Sequence, residues 1–312
     1  MSRETERVIK EMHKYISEKT HGEVPSDEEM DKLIQEFMQL HNAMPKVTLT
    51  EKNATTADDF LELASEAKTK KKEIEYLQKA LELEPNNIDA AAELLFTKRL
   101  KTAQLLVELD ALIAKAKSIL KEDGTYRDSM GHFWGVLETR PYMRLLQTRM
   151  ELLKRCGMMK MALQQAQEML KLNPGDNQGI RFEMMPMYAW LEDELHARKF
   201  VGQNKDEKDS AFFQLPLSVL YFSLGQWDKA KAILLEMTDT YTLTAMRKFV
   251  RAASTQDDEV LENTSPYGYQ PGRFSELQDA YFVGNNLYFF HLPYFEWAEE
   301  ILSGSRAKRG KK

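Results

Sequence analysis

The sequence predicts an all-α chain of stacked antiparallel helix pairs, and three observations carry that prediction. The segment Gly157-Met-Met-Lys-Met-Ala162 returns 68 residues later as Gly225-Gln-Trp-Asp-Lys-Ala230, each time followed by an apolar helical run. Sixty-eight is twice 34, the period of a tetratricopeptide (TPR) helix pair. A stop signal also recurs, as Leu83-Glu-Pro-Asn-Asn87 and Leu172-Asn-Pro-Gly-Asp-Asn177. Proline cannot continue a helix and asparagine tolerates a turn. Composition agrees, with 43% hydrophobic and 29% charged residues and few Gly or Pro. The prediction is a TPR-like α-solenoid, a right-handed superhelix of antiparallel helix pairs, with an N-terminal helical extension and a helical C-terminal cap.

Residues 1–42 form the extension. Val8, Met12, Tyr15 and Ile16 make one apolar stripe, and His21-Gly22-Glu23-Val24-Pro25 breaks it. Ser26 then precedes Asp27, Glu28 and Glu29, an acidic first turn suited to the positive end of a helix. Met30, Leu33, Ile34, Phe37 and Met38 mark that helix, over about 27–41. Residues 43–57, with Pro45 and several threonines, read as a connector.

The repeat domain spans 58–262. Phe60, Leu61 and Ala64 face Ile74, Leu77, Ala80 and Leu81 across the first pair. A long helix over 102–121 is closed by Asp123-Gly124. The stripe Tyr142, Leu145, Leu146, Met150, Leu153 pairs with Met158, Met161, Ala162, Gln165, Ala166, Met169, and the last clear pair joins 211–224 to 227–238. Between them, Arg181–Lys199 reads as one helix with a degenerate partner, because 201–209 is polar and contains glycine. The period is therefore expected to drift there. Pro186 and Pro216 are expected as bends or late helix starts. Residues 263–302 read as a Tyr- and Gly-rich loop followed by two aromatic capping helices. The first carries Phe274, Leu277, Tyr281, Phe282 and Phe289. The second starts near Pro293 and carries Phe295, Trp297 and Ile301. Residues 303–312, with Arg306, Lys308, Arg309, Lys311 and Lys312, are expected to be a disordered basic tail.

Charge and motifs bound the function. A net charge of −6 argues against nonspecific grip on a nucleic-acid backbone. No run approaches the roughly 20 apolar residues of a membrane span, and the N-terminus lacks an apolar signal core. Cys156 is the single cysteine, which with the missing signal predicts a cytoplasmic protein without disulfides. There is no phosphate-binding Gly-rich loop, dinucleotide fingerprint or paired-histidine zinc motif. Cys156 sits at a predicted helix C-terminus, the wrong electrostatic end for a thiolate. His132 beside Phe133 and Trp134 reads as packing or capping, and Met158, Met159 and Met161 as adaptable core filling. The expectation is no catalytic residue, no metal and no cofactor.

Two segments are unusual for plain repeats: Gly131-His-Phe-Trp-Gly-Val-Leu-Glu-Thr-Arg-Pro-Tyr-Met-Arg144 and Leu172-Asn-Pro-Gly-Asp-Asn-Gln-Gly-Ile-Arg181. Together they resemble a bacterial family of uncharacterised TPR proteins, over about residues 56–302 including the Ser-Pro-Tyr-Gly-Tyr269 loop. The central portion is also similar to the suppressor-of-tumorigenicity TPR family of animals. The resemblance implies a TPR architecture and no particular activity.

Pro141 belongs in the first turn of a helix, and Asp176 or Asn177 can cap the helix that contains Arg181. In a stack, first helices of successive pairs lie side by side. Glu138, Arg140, Tyr142 and Arg144 would then approach Asn173, Asn177, Gln178 and Arg181 on a concave face. Guanidinium groups make forked contacts with carboxylates, so this end is expected to grip a protein or peptide partner. A structural network, with Glu138 paired to an arginine, is the competing expectation. The alternative function is a small-molecule or anion sensor, or a hydrolase, built on Glu138, Arg144 and Arg181. An enclosed pocket with unpaired charges would favour it; an open groove would favour a peptide. The aromatic end (Tyr267, Tyr269, Phe274, Tyr288, Phe289, Phe290, Tyr294) is read as a hydrophobic cap, with a second partner surface as the alternative.

Overall fold

A computed structural model describes residues 3–43 and 48–304. Pro45 and the basic residues of the tail, from Arg306 on, lie outside the described residues. Among the described residues every regular element is helical and there is no strand. The chain divides into two compact units, Met1–Leu145 and Leu146–Lys312.

The first unit begins with α1 (Arg3–Lys19) and α2 (Asp27–Ala43). His21 and Gly22 turn the chain between them with φ of 53° and 81°. Their shared core is small: Ile16, Leu33 and Phe37 are buried, and the Tyr15 ring lies 5.8 Å from Phe37. Next come α3 (Ala57–Ser65), α4 (Lys70–Leu83), α5 (Ile88–Thr97) and α6 (Thr102–Glu122). Thr56 and Asp59 cap α3 reciprocally, while Thr69 and Asn87 cap α4 and α5 through side-chain oxygens. Phe60, Leu61, Ala64, Leu77, Ala80 and Ala90 form the core of this stack, as the sequence pattern requires. After α6, Gly124 at φ 84° starts the short α7 (Thr125–Asp128). Two 3-10 turns, Phe133–Gly135 and Leu137–Thr139, lead into α8 (Arg140–Arg155). Pro141 sits in its first turn, where a missing N–H costs nothing. The Thr139 hydroxyl donates to the carbonyls of Phe133 and Val136 and ties the turns to the helix start.

The second unit contains the C-terminal half of α8, then α9 (Met159–Leu172), α10 (Ile180–Trp190), α11 (Glu194–Gln203), α12 (Ala211–Ser223) and α13 (Trp227–Tyr241). One turn recurs between the members of each pair. Gly157 and Gly225 have φ of 72° and 69°. The N–H after each reaches back five residues, Met158 to the Leu153 carbonyl (2.9 Å) and Gln226 to the Tyr221 carbonyl (2.8 Å). These are left-handed helix caps of the Schellman type. Glu192 makes the same turn: φ is 55°, and Asp193 N–H reaches the Tyr188 carbonyl at 3.0 Å. Five residues beyond each left-handed position lies a buried alanine: Ala162, Ala197 and Ala230.

That turn corrects the expectation of a single helix over Arg181–Lys199 with a degenerate partner. The segment is a helical pair, α10 and α11, and the interval of 68 residues divides into 35 and 33. The turn is hidden in the sequence because Glu192 holds the conformation that glycine favours elsewhere. Pro186 and Pro216 lie inside α10 and α12, so neither is a late start. The two rings four residues ahead of them, Phe182 and Phe212, meet with centroids 4.5 Å apart.

First helices of successive pairs lie side by side in this unit. The Gln178 side chain at the head of α10 donates to Gln147 of α8 at 2.7 Å, and Lys154 of α8 pairs with Glu183 of α10. Phe182 of α10 packs on Phe212 and Phe213 of α12. Helix α12 is apolar nearly all round and accordingly the most buried. Ser218 on it donates to the Ala230 carbonyl of α13 at 3.0 Å, which the small residues allow.

Helix α14 (Leu243–Thr255) was not anticipated, although Met246, Phe249, Val250 and Ala253 keep helical spacing and are buried. The short α15 (Asp258–Leu261), the loop to Arg273, α16 (Phe274–Val283), α17 (Asn285–Phe289) and α18 (Leu292–Gly304) complete the chain. The expected first capping helix is thus two. They part at Gly284, where a Cβ would run into the Tyr288 ring. Tyr288, Tyr294 and Phe295 are fully buried in the resulting core, whereas Tyr267, Phe289 and Phe290 are exposed.

Candidate functional site

The predicted site residues fall into two groups, one in each unit. In the first unit, the start of α8 carries Arg140 and Arg144. Arg140 is buried; its guanidinium donates to the Trp134 carbonyl at 2.8 Å and to Glu6 of α1 at 3.2 Å. Arg144, one turn on, forks onto Asp89 of α5 with contacts of 3.1 and 2.6 Å and also donates to Glu6 at 3.0 Å. Buried Glu6 therefore bridges two arginines, and planar guanidinium geometry suits that bridge. Two further pairs join α1 to α3: Arg7 with Glu62, and Lys10 with Asp58 at 2.8 Å. These side chains line a cleft of about 400 Å³ with Glu66, Leu61 and Pro141. Burial would push the Arg144 guanidinium down, but Asp89 and Glu6 outweigh it and keep the group charged.

The other two residues of this predicted group do not join the cleft ions. Tyr142 is 1% exposed and packs in the core, with the Tyr126 and Phe133 rings each 6.2 Å away. It is a core residue and presents no surface to a partner. Glu138 is exposed in the 3-10 turn before α8. Glu6, not Glu138, is the carboxylate that meets the arginines. No local signal in the sequence marked Glu6 or Asp89, because they lie 138 and 55 residues from Arg144.

In the second unit, Asn173, Asn177, Gln178 and Arg181 gather around Asp176. The buried Asp176 carboxylate accepts from the N–H groups of Ile180 (2.7 Å) and Arg181 (2.9 Å), and the Arg181 side chain approaches it at 3.2 Å. Asp176 rather than Asn177 caps α10. Its burial pushes the carboxyl above the ordinary aspartate value, against the pull of the two N–H groups and Arg181. Asn173 donates to Asn177 at 3.2 Å. Arg181 lies over the Phe182 ring, 5.5 Å from its centroid. Gln178 spends its amide N–H on Gln147, and its own carbonyl oxygen is buried with no hydrogen-bond partner. Gln147, Gln178, Arg181 and Phe182 are half-buried and Asn177 is exposed, so α8 and α10 present a row of partly open side chains.

Two other sequence readings change, for His132 and for the methionines. His132 is exposed rather than packed. Met158 and Met161 are 44% and 42% exposed, and only Met159 fills the core. Cys156 is exposed beside the Gly157 turn. Among the described residues, no group of three or more His, Cys, Asp or Glu is placed to hold a metal ion. Among the same residues, no helix is long and apolar enough to cross a membrane.

No family model matches the chain, and no curated protein matches it.

Proposed function

We propose that this protein is a non-catalytic, TPR-like scaffold that binds a segment of another protein along the first helices of its pairs. The observation that carries this reading is the recurring turn: three pairs in one unit use the same left-handed cap, at Gly157, Glu192 and Gly225, with a buried alanine five residues on. Their first helices α8, α10 and α12 lie in contact, which is how helical-repeat proteins build a continuous binding face. Gln147, Gln178 and Arg181 stand half-buried along that face and bring polar groups to the path of an incoming backbone. Arg181 meets Asp176 through Nε and is one-third exposed, so a segment with a carboxylate near an apolar side chain suits the open edge of its guanidinium beside Phe182. The anion-site reading has less support, because the arginines of the cleft already hold carboxylates.

The test is affinity capture with the full chain as bait, followed by mass spectrometry, comparing wild type with Gln178→Ala/Arg181→Ala. Capture of a specific protein should fall by roughly ten-fold or more, the effect of losing one or two charge-assisted contacts. The melting temperature should drop by only a few degrees, because Asp176 keeps its two backbone donors. Undiminished capture by the double variant would overturn the reading.

A further inference from the structure

Helix α1 is held to the rest of its unit chiefly by charge. Its apolar stripe is spent on α2, with Ile16 the one buried apolar side chain of the helix among the described residues. Toward α3 and α8 it offers ions instead: Glu6 to Arg140 and Arg144, Arg7 to Glu62, Lys10 to Asp58. Space flanks it on both sides. The charged cleft of about 400 Å³ lies between it and α3 and α8, and a second, mainly apolar cleft of about 340 Å³ lies between it and α2, lined by Met12, Ile16, Met30 and Ile34. A helix seated this way gives up little apolar burial when it leaves; the partly exposed pairs Arg7–Glu62 and Lys10–Asp58 exchange with water and salt, and the buried Glu6 bridge is the hold that gives the seat its specificity. The seat it would uncover is well formed. Asp89 already orients Arg144, and the Trp134 carbonyl orients Arg140, so both guanidiniums stay aimed at the place Glu6 occupies.

We propose that α1 is a displaceable occupant of a helix-binding seat, and that the seat takes an amphipathic helix with a carboxylate followed by basic residues one and four positions later. Glu6, Arg7 and Lys10 have that pattern. The carboxylate bridges Arg140 and Arg144, and the basic residues meet Glu62 and Asp58. The inference rests on the reading that the chain binds a segment of another protein, and it adds a second seat that is closed in the free chain.

The experiment uses the full chain and a fluorescein-labelled peptide of residues 3–19 as probe. In Arg7→Glu/Lys10→Glu, hydrogen exchange of the amides in 3–19 should quicken by roughly ten-fold or more, the factor two partly exposed ion pairs together control. Protection in α3–α5 should persist and show that the variant is folded. The labelled peptide should bind that variant roughly ten-fold more tightly than wild type, because its seat is open more of the time. A peptide with its own Glu6→Lys should not bind. The charge swap Arg7→Glu/Glu62→Arg should restore slow exchange. Unchanged exchange in 3–19, no gain in peptide binding once α1 is released, or equal binding of the Glu6→Lys peptide would each overturn the proposal. A failure here with capture still lost in Gln178→Ala/Arg181→Ala removes the latch and leaves the scaffold reading standing.

Discussion

Asp59 shows how one side chain sets both a helix start and a pH response. Its carboxylate accepts from the N–H groups of Thr55 and Thr56, each at 2.9 Å, while its own N–H donates to the Thr56 hydroxyl at 3.1 Å. Burial pushes the carboxyl up, yet those N–H groups prevail and hold it below the ordinary value of 3.8. A carboxyl whose folded value lies below its unfolded one stabilises the fold above the unfolded value and loses that contribution as pH falls through the folded value. Asp59→Asn should therefore cost about 1 kcal/mol at neutral pH. It should also flatten the loss of stability below pH 3.8, read by urea melts across pH. Asp176 runs the other way: burial raises its carboxyl, so its ionisation subtracts from stability as pH rises through the raised value. Arg144 carries a larger share. Arg144→Ala leaves Asp89 without its forked partner and Glu6 with one arginine fewer, so it should cost about 3 kcal/mol, as breaking a buried pair does. A denaturant melt checks it. The sequence pattern made Arg144 a partner-binding residue, but the carboxylates around it make it a stabilising one in the free chain.

At the scale of elements, the turn at Glu192 is the most informative. A side chain in the left-handed region costs about 1–2 kcal/mol, whereas glycine adopts it freely. Glu192→Gly should accordingly stabilise the protein by about 0.5–1 kcal/mol, net of the extra freedom glycine gains when unfolded. Gly157→Ala and Gly225→Ala should destabilise it by about 1–2 kcal/mol each. Thermal melts of the three variants check the signs, and a loss of stability in Glu192→Gly would mean that the three turns are not equivalent. The α12–α13–α18 contact offers a second element-scale test. The buried Tyr294 hydroxyl donates to Ser218 at 2.9 Å, and Ser218 donates to the Ala230 carbonyl. Ser218→Ala should cost about 1–3 kcal/mol by stranding a buried hydroxyl, and Tyr294→Phe added to it should recover part of that loss.

At the scale of the whole molecule, each unit has its own polar knot. In the second unit it is Glu276, 2% exposed. Its carboxylate accepts from Ala211 N–H at the start of α12 (3.2 Å), from Gly272 N–H in the loop (2.6 Å), and from the Tyr241 hydroxyl at the end of α13. One acid thus fastens the loop before α16 to two helix ends, and Tyr269 from that loop packs on Phe212 at 5.0 Å. Glu276→Ala leaves the Gly272 N–H and the Tyr241 hydroxyl without their acceptor, while the Ala211 N–H keeps the Tyr241 oxygen at 2.7 Å, and it should cost about 2 kcal/mol, with Glu276→Gln milder, both measured by denaturant melts. In the first unit the knot is Glu6 with its two arginines.

Helical class, the stops at Leu83 and Leu172, the long helix near 102–121, the apolar stripes and the Gly157 and Gly225 turns were determined by the sequence itself. Those signals act within one or two helical turns, where spacing translates directly into geometry. Tertiary structure decided the rest. Glu192 took a glycine's conformation because packing of α10 on α12 and of Ala197 behind the turn outweighed a local cost. The carboxylate partners of Arg140 and Arg144 came from an element at the far end of the first unit's sequence. Charge has no directional pattern along a chain, so an ion pair across 138 residues becomes visible only when folding brings the two ends of that distance together.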